Sequence, residues 1–469
     1  MDLEEDQEVV IIGAGPGGYT AAIRLGQYGL EPVVVEEENV GGVCLNWGCI
    51  PTKTLYSTTE PLGMVESWSK RGVEVEGIDF DLGEVTDYQK EVVGKLTGGV
   101  EKLIESNGGK VIEGRAELLP GPEVRVEREA AEELHLSPEN VVLATGSKPV
   151  ELPGFPFPNE DVWNSRDAVF PERVPEKLVV LGAGVIGLEM GTIYRRLGAE
   201  VEVLEMQEEM LPEMNLNRRF QSYLGRALKG EGIEVHTETK AVEFRERDDE
   251  KAVLGEKGGE TKEFPADKVL VAVGRRPALG AVSDGLGLET DADGSLSIDE
   301  DCLTSSDGIY AIGDAAGGPL LAHKASREGL VAAASIARED ISNYRHVPSV
   351  VFSDPEYAEV GLSEEEAEER GFDPLLGRFP FRASGKALAM DETEGMVQLV
   401  VDGETDVILG GSVLGPNASD LIGEIGIAVE MKLTAKEVGE TIHPHPTLSE
   451  AIMEAAENVH GKAIHTANR

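Results

Sequence analysis

Two of the three cysteines in this 469-residue chain stand five positions apart in GGVCLNWGCIPTK, residues 41–53. Cys44 and Cys49 could ligate a metal, staple a fold or exchange electrons. A tetrahedral metal centre needs more Cys or His at close spacing, and none of the eight histidines lies within 80 residues of the pair. So few cysteines cannot frame a disulfide scaffold, and a staple is out of place in a reducing compartment. Redox work remains. Five steps of α-helix rise roughly 7.5 Å, beyond the roughly 4.4–6.8 Å between the Cα atoms of a disulfide, so the segment has to bend when the sulfurs join. Gly48 and the Gly41-Gly42 pair supply that freedom. Pro51 suits the first turn of a helix, which sets Cys49 at a positive N-terminal end. Lys53, four residues on, adds charge on the same face, and both favour a thiolate.

A thiol attacks a disulfide only as its thiolate, so exchange needs a base that takes a proton and later returns one. The stretch TIHPHPTLSEAIMEAA holds His443, His445 and Glu450. Imidazole titrates in the right range, and a carboxylate on its other nitrogen fixes the tautomer. The same residues also read as ordinary structure: Thr447-x-x-Glu450 has the spacing of a capping box, and the histidines flank Pro444 and Pro446 as turn residues do. Cys302, in DEDCLTSS, reads as a small buried hydrophobe.

The elements that must position these groups are legible from the start of the chain. EVVIIGAGPGGYTAAIRLGQYGLEPVVVEEE has a β-branched run from Val9 to Ile12, then Gly13-x-Gly15-x-x-Gly18, a helical stretch to Leu25 and a second strand ending at Glu36. This is the βαβ dinucleotide fingerprint: glycines admit a pyrophosphate at the helix N-terminus, and the acid accepts from a ribose 2′-OH. It recurs in KLVVLGAGVIGLEMGTIYRRLGAEVEVLEM with Gly182, Gly184, Gly187 and Glu205, the acid again 23 residues after the first glycine. The chain therefore carries two dinucleotide sites. No Lys or Arg follows Glu205 in MQEE to hold a 2′-phosphate, which points to NAD over NADP. The plainer alternative makes Glu205 a surface acid at a strand end.

Farther on, VVLATGSKPVELPG and VLVAVGRRPALG read as matched strand exits closing the two nucleotide folds. TSSDGIYAIGDAAG reads as a strand ending in Gly313-Asp314, where an Asp can bond a ribityl or sugar hydroxyl, although most Gly-Asp pairs only make turns. From about residue 346 the pattern changes. VFSDPEYAEVGLSEEEAEERGF reads as a strand and a helix with a Ser363–Glu366 capping box, and residues 395–433 as two strands and an apolar helix.

In combination, GGVCLNWGCIPTK, the two fingerprints, ATGSKP, AVGRRP, YAIGDAAG and HPHPTLSEA resemble the FAD-dependent pyridine nucleotide–disulfide oxidoreductases over nearly the whole chain. The resemblance implies an α/β protein: two Rossmann-like FAD/NAD(P)-binding domains plus a C-terminal α+β dimerisation domain. The FAD domain's first part would span 1–150, the NAD domain 151–276, a central return segment to the FAD domain 277–345 and the dimerisation domain 346–469. The implied activity is oxidation of dihydrolipoamide to lipoamide with reduction of NAD⁺. Cys49 would lie against the flavin as the charge-transfer thiolate, Cys44 would exchange with substrate, and Lys53 would sit near the flavin N5, paired with Glu189. His445 would be the base and Glu450 its orienting carboxylate, supplied across an obligatory homodimer, with His443 in support. The implied cofactor-binding set is Gly13, Gly15, Gly18, Glu36, Lys53, Thr145, Gly146, Gly182, Gly184, Gly187, Glu189, Glu205, Gly274, Asp314 and Ala322. Trp47 and Thr52 replace the commoner Val and Ser of the motif, and Trp47 bears on flavin-side packing. Lipoyl groups would come from a 2-oxoacid dehydrogenase complex or a glycine cleavage system, since no lipoyl-like domain is attached. The competing activity is NAD(P)H-dependent reduction of another small disulfide such as glutathione. Reductases with a further redox pair near the C-terminus do not fit, because no cysteine follows Cys302. From another class, a nucleotide-binding scaffold or redox sensor without turnover is disfavoured by the intact set of Cys44, Cys49, His445 and Glu450.

Eighty-eight acidic against 42 basic residues give a formal charge of −46, which opposes nucleic acid or an anionic membrane surface as partner. No apolar run reaches the length of a membrane span, and the start MDLEEDQE is acidic where a signal peptide is basic. The expectation is a soluble cytosolic protein with no metal. The acid is spread along the chain, as an ordinary solvated enzyme surface allows, and self-repulsion of this size suits a salt-rich cytosol. Thermal melting should accordingly show stability rising with KCl concentration; full stability without salt would remove the salt-adapted reading.

Overall fold

The computed structural model describes residues 6–121, 123–129, 131–247, 250–282, 285–342 and 345–468. The acidic start, Met1–Glu5, lies outside them. The run Val9–Ile12 is buried on both faces, as parallel strands covered by helices must be. The strand Asp6–Ile12 pairs in parallel with Val33–Glu36 on one side and with Leu134–Leu143 on the other. Lys110–Glu113 extends the sheet beyond Val33–Glu36, and Ile309–Ala311 lies beside Leu134–Leu143. A second parallel sheet, of five strands, runs in the order Ile233–His236, Glu200–Leu204, Lys177–Leu181, Lys268–Val271, Val162–Trp163. In each sheet the strand order reverses at the fingerprint strand, so the glycine loop and its helix, Pro16–Gln27 or Val185–Arg196, stand at the crevice where such folds bind nucleotides.

The two strand exits meet. Ser147–Pro149 runs antiparallel to Arg275–Pro277, so the chain leaves the first fold and returns through one two-stranded ribbon. The returning chain then supplies Ile309–Ala311 and the helix Ala322–Ala337 to the first fold. That helix lies parallel to Pro16–Gln27 at backbone contact: a Cβ on Gly17 would lie 3.1 Å from the Ala325 oxygen, and one on Gly329 would lie 2.5 Å from the Gly17 oxygen. Two positive helix ends are thereby set side by side at the same sheet edge.

The last third is an antiparallel five-stranded sheet in the order Ser349–Val351, Glu356–Gly361, Ile408–Gly415, Met396–Asp402, Pro374–Pro380. The helices Ala418–Glu430 and Glu450–Val459 bury their apolar sides on it, through Ile422, Ile425, Ile452 and Ala455. The expected capping box closes between Ser363 and Glu366. Among the described residues no helix is long and apolar enough to cross a membrane.

Because the helix pair tolerates no side chain between its backbones, Gly329→Val should lower stability by about 1–3 kcal/mol. Urea denaturation measures this, and an unchanged midpoint would show that the helices can separate without cost.

Candidate active site

The bend that a disulfide requires is built into the backbone. Gly48, at φ −132 and ψ −116, ends the helix Gly42–Trp47 and begins the helix Cys49–Lys70. Gly41 and Gly42 have φ of 96 and 56, and a Cβ on Gly42 would lie 2.7 Å from the Cα of Gly15. The cysteine turn therefore rests directly on the first glycine loop. Cys49 is the first residue of its helix, with Pro51 in the first turn, and the Thr52 amide donates to the Gly48 oxygen at 3.0 Å.

Both thiols are free, Cys44 half-buried and Cys49 exposed. The Cys44 thiol donates to the Cys49 sulfur. That bond, with the Lys53 ammonium behind it, outweighs burial and the Glu189 carboxylate and pulls the Cys49 pKa down to about 7. The same bond, then burial, pushes Cys44 far upward. The pair is thus polarised: its surroundings favour the negative charge on Cys49 and the proton on Cys44. Lys53 reaches both oxygens of Glu189, at 2.9 and 2.8 Å, and so ties the cysteine helix to the helix Val185–Arg196 of the second fold. Trp47, expected to bear on flavin-side packing, has its ring 3.8 Å below the Arg166 guanidinium and adds a second tie between the same two folds.

The two glycine loops are built alike. The first glycine, Gly13 or Gly182, has φ 103 and presses its Cα on a facing carbonyl: an added Cβ would lie 2.3 Å from the Ala144 oxygen or 2.5 Å from the Ala272 oxygen. The third, Gly18 or Gly187, closes helix on strand, with 1.9 or 2.0 Å left for a Cβ before the first glycine's oxygen. At the second, Gly15 or Gly184, a Cβ would meet nothing within 4 Å, so the backbone there faces open space. The acids match too. Glu36 accepts from the Ala14 amide at 2.7 Å and the Glu38 amide at 2.9 Å; Glu205 accepts from Ala183 at 2.7 Å and Gln207 at 2.8 Å. Burial raises the Glu36 pKa in spite of those amides. Glu205 is buried, which removes its reading as a surface acid.

Around the first loop, Thr145 Oγ1 is buried with no partner among the described residues, and a Cβ on Gly146 would meet nothing within 4 Å. An open backbone groove with an orphaned hydroxyl beside it fits a dinucleotide cofactor. Asp314, in the short turn Gly313–Ala316, accepts from Ser147, which in turn receives the Arg275 Nε at 2.8 Å. Ala322 opens the helix beside that turn, and Gly274, at φ 111, stands before the returning ribbon strand. Sequence reasoning missed the support beneath. Lys324 and Glu328, almost wholly buried and paired at 3.0 Å, grip the turn from inside: Lys324 donates to the Gly313 and Gly317 oxygens and Glu328 accepts from the Gly313 amide. An i,i+4 Lys–Glu pair inside LLAHKASREGLVAAAS, a stretch rich in small and apolar residues, was its signal. Cys302 is buried as expected, its sulfur 3.8 Å from the Glu328 oxygen.

At the other end of the chain, His445 is well exposed, with Nδ1 2.9 Å from Glu450 Oε1. The second Glu450 oxygen accepts from the Thr447 amide at 2.9 Å. One carboxylate thus orients the ring and also ties down the turn before the helix; the capping box expected from Thr447-x-x-Glu450 does not form, because the helix begins at Glu450 with Ser449 before it and Thr447 Oγ1 donates to the Pro444 oxygen. Burial pushes the Glu450 pKa up, but the Thr447 amide and the His445 ring outweigh it and hold it below the usual range. With Nδ1–H on the carboxylate, Nε2 is the basic nitrogen. His443 is held between the Thr441 oxygen at 2.8 Å and Glu424 at 2.7 Å, a supporting position. Among the described residues no hydrogen bond joins His445 to the cysteine turn. Elsewhere, Glu202, Glu234 and His236 bring potential metal-ligand atoms within 4.8 Å of one another, but His236 already bonds Glu202 at 2.8 Å and the Lys262 ammonium lies 4.0 Å from the same carboxylate.

Comparison with known proteins gives a consistent result. Residues 7–329 match the family model of pyridine nucleotide-disulphide oxidoreductases, and residues 347–456 that family's dimerisation domain. The chain is 42% identical to a dihydrolipoyl dehydrogenase of Halobacterium salinarum, covering 100% of this chain and 99% of the relative. It is 45% identical to one from Thermus scotoductus, covering 98% and 99%. Among solved structures, LpdA of Mycobacterium tuberculosis superposes with a TM-score of 0.89 at 26% identity, over 97% of this chain and 99% of that one.

With the dithiol reduced, alkylation of Cys49 by iodoacetamide should rise with pH through about 7, the thiolate dominating above that point. Lys53→Met should move this midpoint up by about one unit, since the nearest cation is lost. Peptide mapping by mass spectrometry across pH checks both.

Proposed function

This chain belongs to the pyridine nucleotide-disulphide oxidoreductases, and on that premise we propose that it oxidises dihydrolipoamide to lipoamide and reduces NAD⁺, using Cys44 and Cys49 as its redox pair and FAD as its resident cofactor. The observation that carries the reading is the asymmetric setting of the two thiols: Cys49 opens a helix at the bend at Gly48, with Lys53 one turn on and paired to Glu189, and the bond from Cys44 together with that ammonium lowers the Cys49 pKa while Cys44 keeps the proton.

The first half-reaction follows from that asymmetry. In the oxidised protein the Cys44–Cys49 bond is attacked at the Cys44 sulfur by one thiolate of the substrate. A mixed disulfide forms and Cys49 leaves as the thiolate that its surroundings stabilise. The second substrate sulfur then attacks the first, the lipoyl ring closes, and Cys44 leaves and is protonated. Two electrons have passed to the cysteines. His445 Nε2 takes the substrate protons and returns one to Cys44, while Glu450 holds the ring in the required tautomer. FAD, when bound, supplies the two-electron relay between a dithiol and a nicotinamide. Gly13, Gly15, Gly18, Glu36, Thr145, Gly146, Asp314 and Ala322 would hold it, with Lys53 at its reactive end. Gly182, Gly184, Gly187, Glu189, Glu205 and Gly274 would hold NAD, and the absence of Lys or Arg in MQEE after Glu205 favours it over NADP.

We read His445 as reaching the thiols of the partner subunit in a homodimer. A dimerisation domain matched over 347–456 and the ring's exposure support this. We read the domains as a flavin domain over 1–150 completed by 277–345, a nucleotide domain over 151–276 and a dimerisation domain from 346, which the crossing ribbon at 147–149 and 275–277 supports. The acidic surface and the lipoyl chemistry together favour a cytosolic enzyme serving lipoyl groups carried by a separate 2-oxoacid dehydrogenase complex or glycine cleavage protein.

His445→Gln should lower lipoamide turnover by about 10²–10⁴-fold, while flavin stays bound and NADH still reduces it in a stopped-flow spectrum. Turnover at the parental rate would overturn the assignment.

A further inference from the structure

Phe352 touches both members of the Lys53–Glu189 pair with different groups. Its ring lies beneath the Lys53 ammonium, 4.5 Å from nitrogen to ring centroid, and its amide donates to Glu189 Oε1 at 3.1 Å. The ring is itself held. Tyr56 meets it edge-on at 5.9 Å, the Tyr56 hydroxyl donates to the Ser353 oxygen at 3.1 Å, and the Arg196 guanidinium covers Tyr56 at 4.6 Å while bonding Asp354 at 2.6 Å. Residues 352–354 begin the last third of the chain, so this third reaches to the base of the cysteine helix.

We propose that Phe352 is a positioning residue for the thiol pair: its ring face and amide fix the Lys53 ammonium and the Glu189 carboxylate in one place, and so set the field felt by Cys49. A cation over an aromatic face is attracted by the ring quadrupole, while the amide hydrogen bond prevents Glu189 from drawing Lys53 toward the second fold. The groups of charge or variable charge that face Cys49 are Lys53, Glu189, Arg275, Cys44 and Tyr19. Lys53 is the one whose ammonium rests on the Phe352 ring.

The inference rests on the reading of Cys49 as the thiolate beside a bound flavin, and the test separates the two. In the holoenzyme carrying Cys44→Ser, a thiolate next to flavin gives a long-wavelength absorbance whose appearance with pH reports Cys49 alone. If that band is missing at every pH, the reading of the site fails. If it is present, Phe352→Leu should raise its midpoint by about half a unit, the shift expected of a partly exposed cation–π contact. Phe352→Tyr should leave the midpoint in place. Stepwise fluorination of the ring at 352, which keeps its shape and removes its quadrupole, should reproduce the shift in proportion and serves if the leucine variant fails to hold flavin. In a Lys53→Met background the substitutions should have no further effect. A midpoint that ignores both leucine and fluorine, or that moves equally without Lys53, overturns the proposal.

Discussion

The Lys53–Glu189 ion pair is the constraint on which the site depends. It joins a helix of the first nucleotide fold to a helix of the second, with the carboxylate buried and the ammonium about one-third exposed. A pair so placed adds little to net stability, because desolvation of Glu189 offsets most of the Coulomb gain. Its value lies in where it leaves the positive charge, one helical turn from the Cys49 sulfur. The same charge lowers Cys49 and is opposed there by Glu189 itself. The separation of roles between two chemically identical thiols begins with the bond that Cys44 makes to Cys49, and the docking of the two domains adds to it by fixing the charges beside that bond.

The duplication of the nucleotide fold shows how far backbone geometry alone fixes a binding groove. Gly13 and Gly182 share a φ of 103, both acids accept from the amide that follows that glycine, and both second glycines face open space. At the glycine loop itself the folds differ in what approaches the groove. The first receives Gly42 of the cysteine turn against Gly15 and the Gly313–Ala316 turn against Ser147. One scaffold thus serves a held cofactor and an exchanging one, the difference being the number of outside elements that pin the site.

Much of this was legible in the residues. The fingerprints, the bend forced by the Cys44–Cys49 spacing, the helix start at Cys49 and the mix of strands and helices in the last third all follow from local pattern, because glycine, proline and hydrophobic period act through the backbone. The ribbon Ser147–Pro149 with Arg275–Pro277 was visible only as two similar exits, since pairing between segments so far apart has no local signature. The roles of Ser147, Arg275 and Phe352 were not legible, because each acts through a neighbour supplied by another part of the chain; Lys324 and Glu328 left only their i,i+4 spacing as a sign. Glu450 shows a different limit. Spacing offered a helix cap or a histidine partner, whereas a carboxylate has two oxygens and the fold uses both.

The surface and the site obey opposite electrostatic rules. A formal charge of −46 lies mostly on exposed Asp and Glu, where salt screens it within about 8–10 Å. The cations that matter to the chemistry are withdrawn from that field: Lys324 is buried against Glu328, Arg275 is half-buried on Ser147, and Lys53 is flanked by Glu189 and Phe352. Buried pairs are screened far less than exposed ones. Salt can therefore relieve repulsion across the outside of the molecule without dissolving the local field that keeps one sulfur charged and its neighbour protonated, which is the condition a redox pair must meet in a strongly acidic chain.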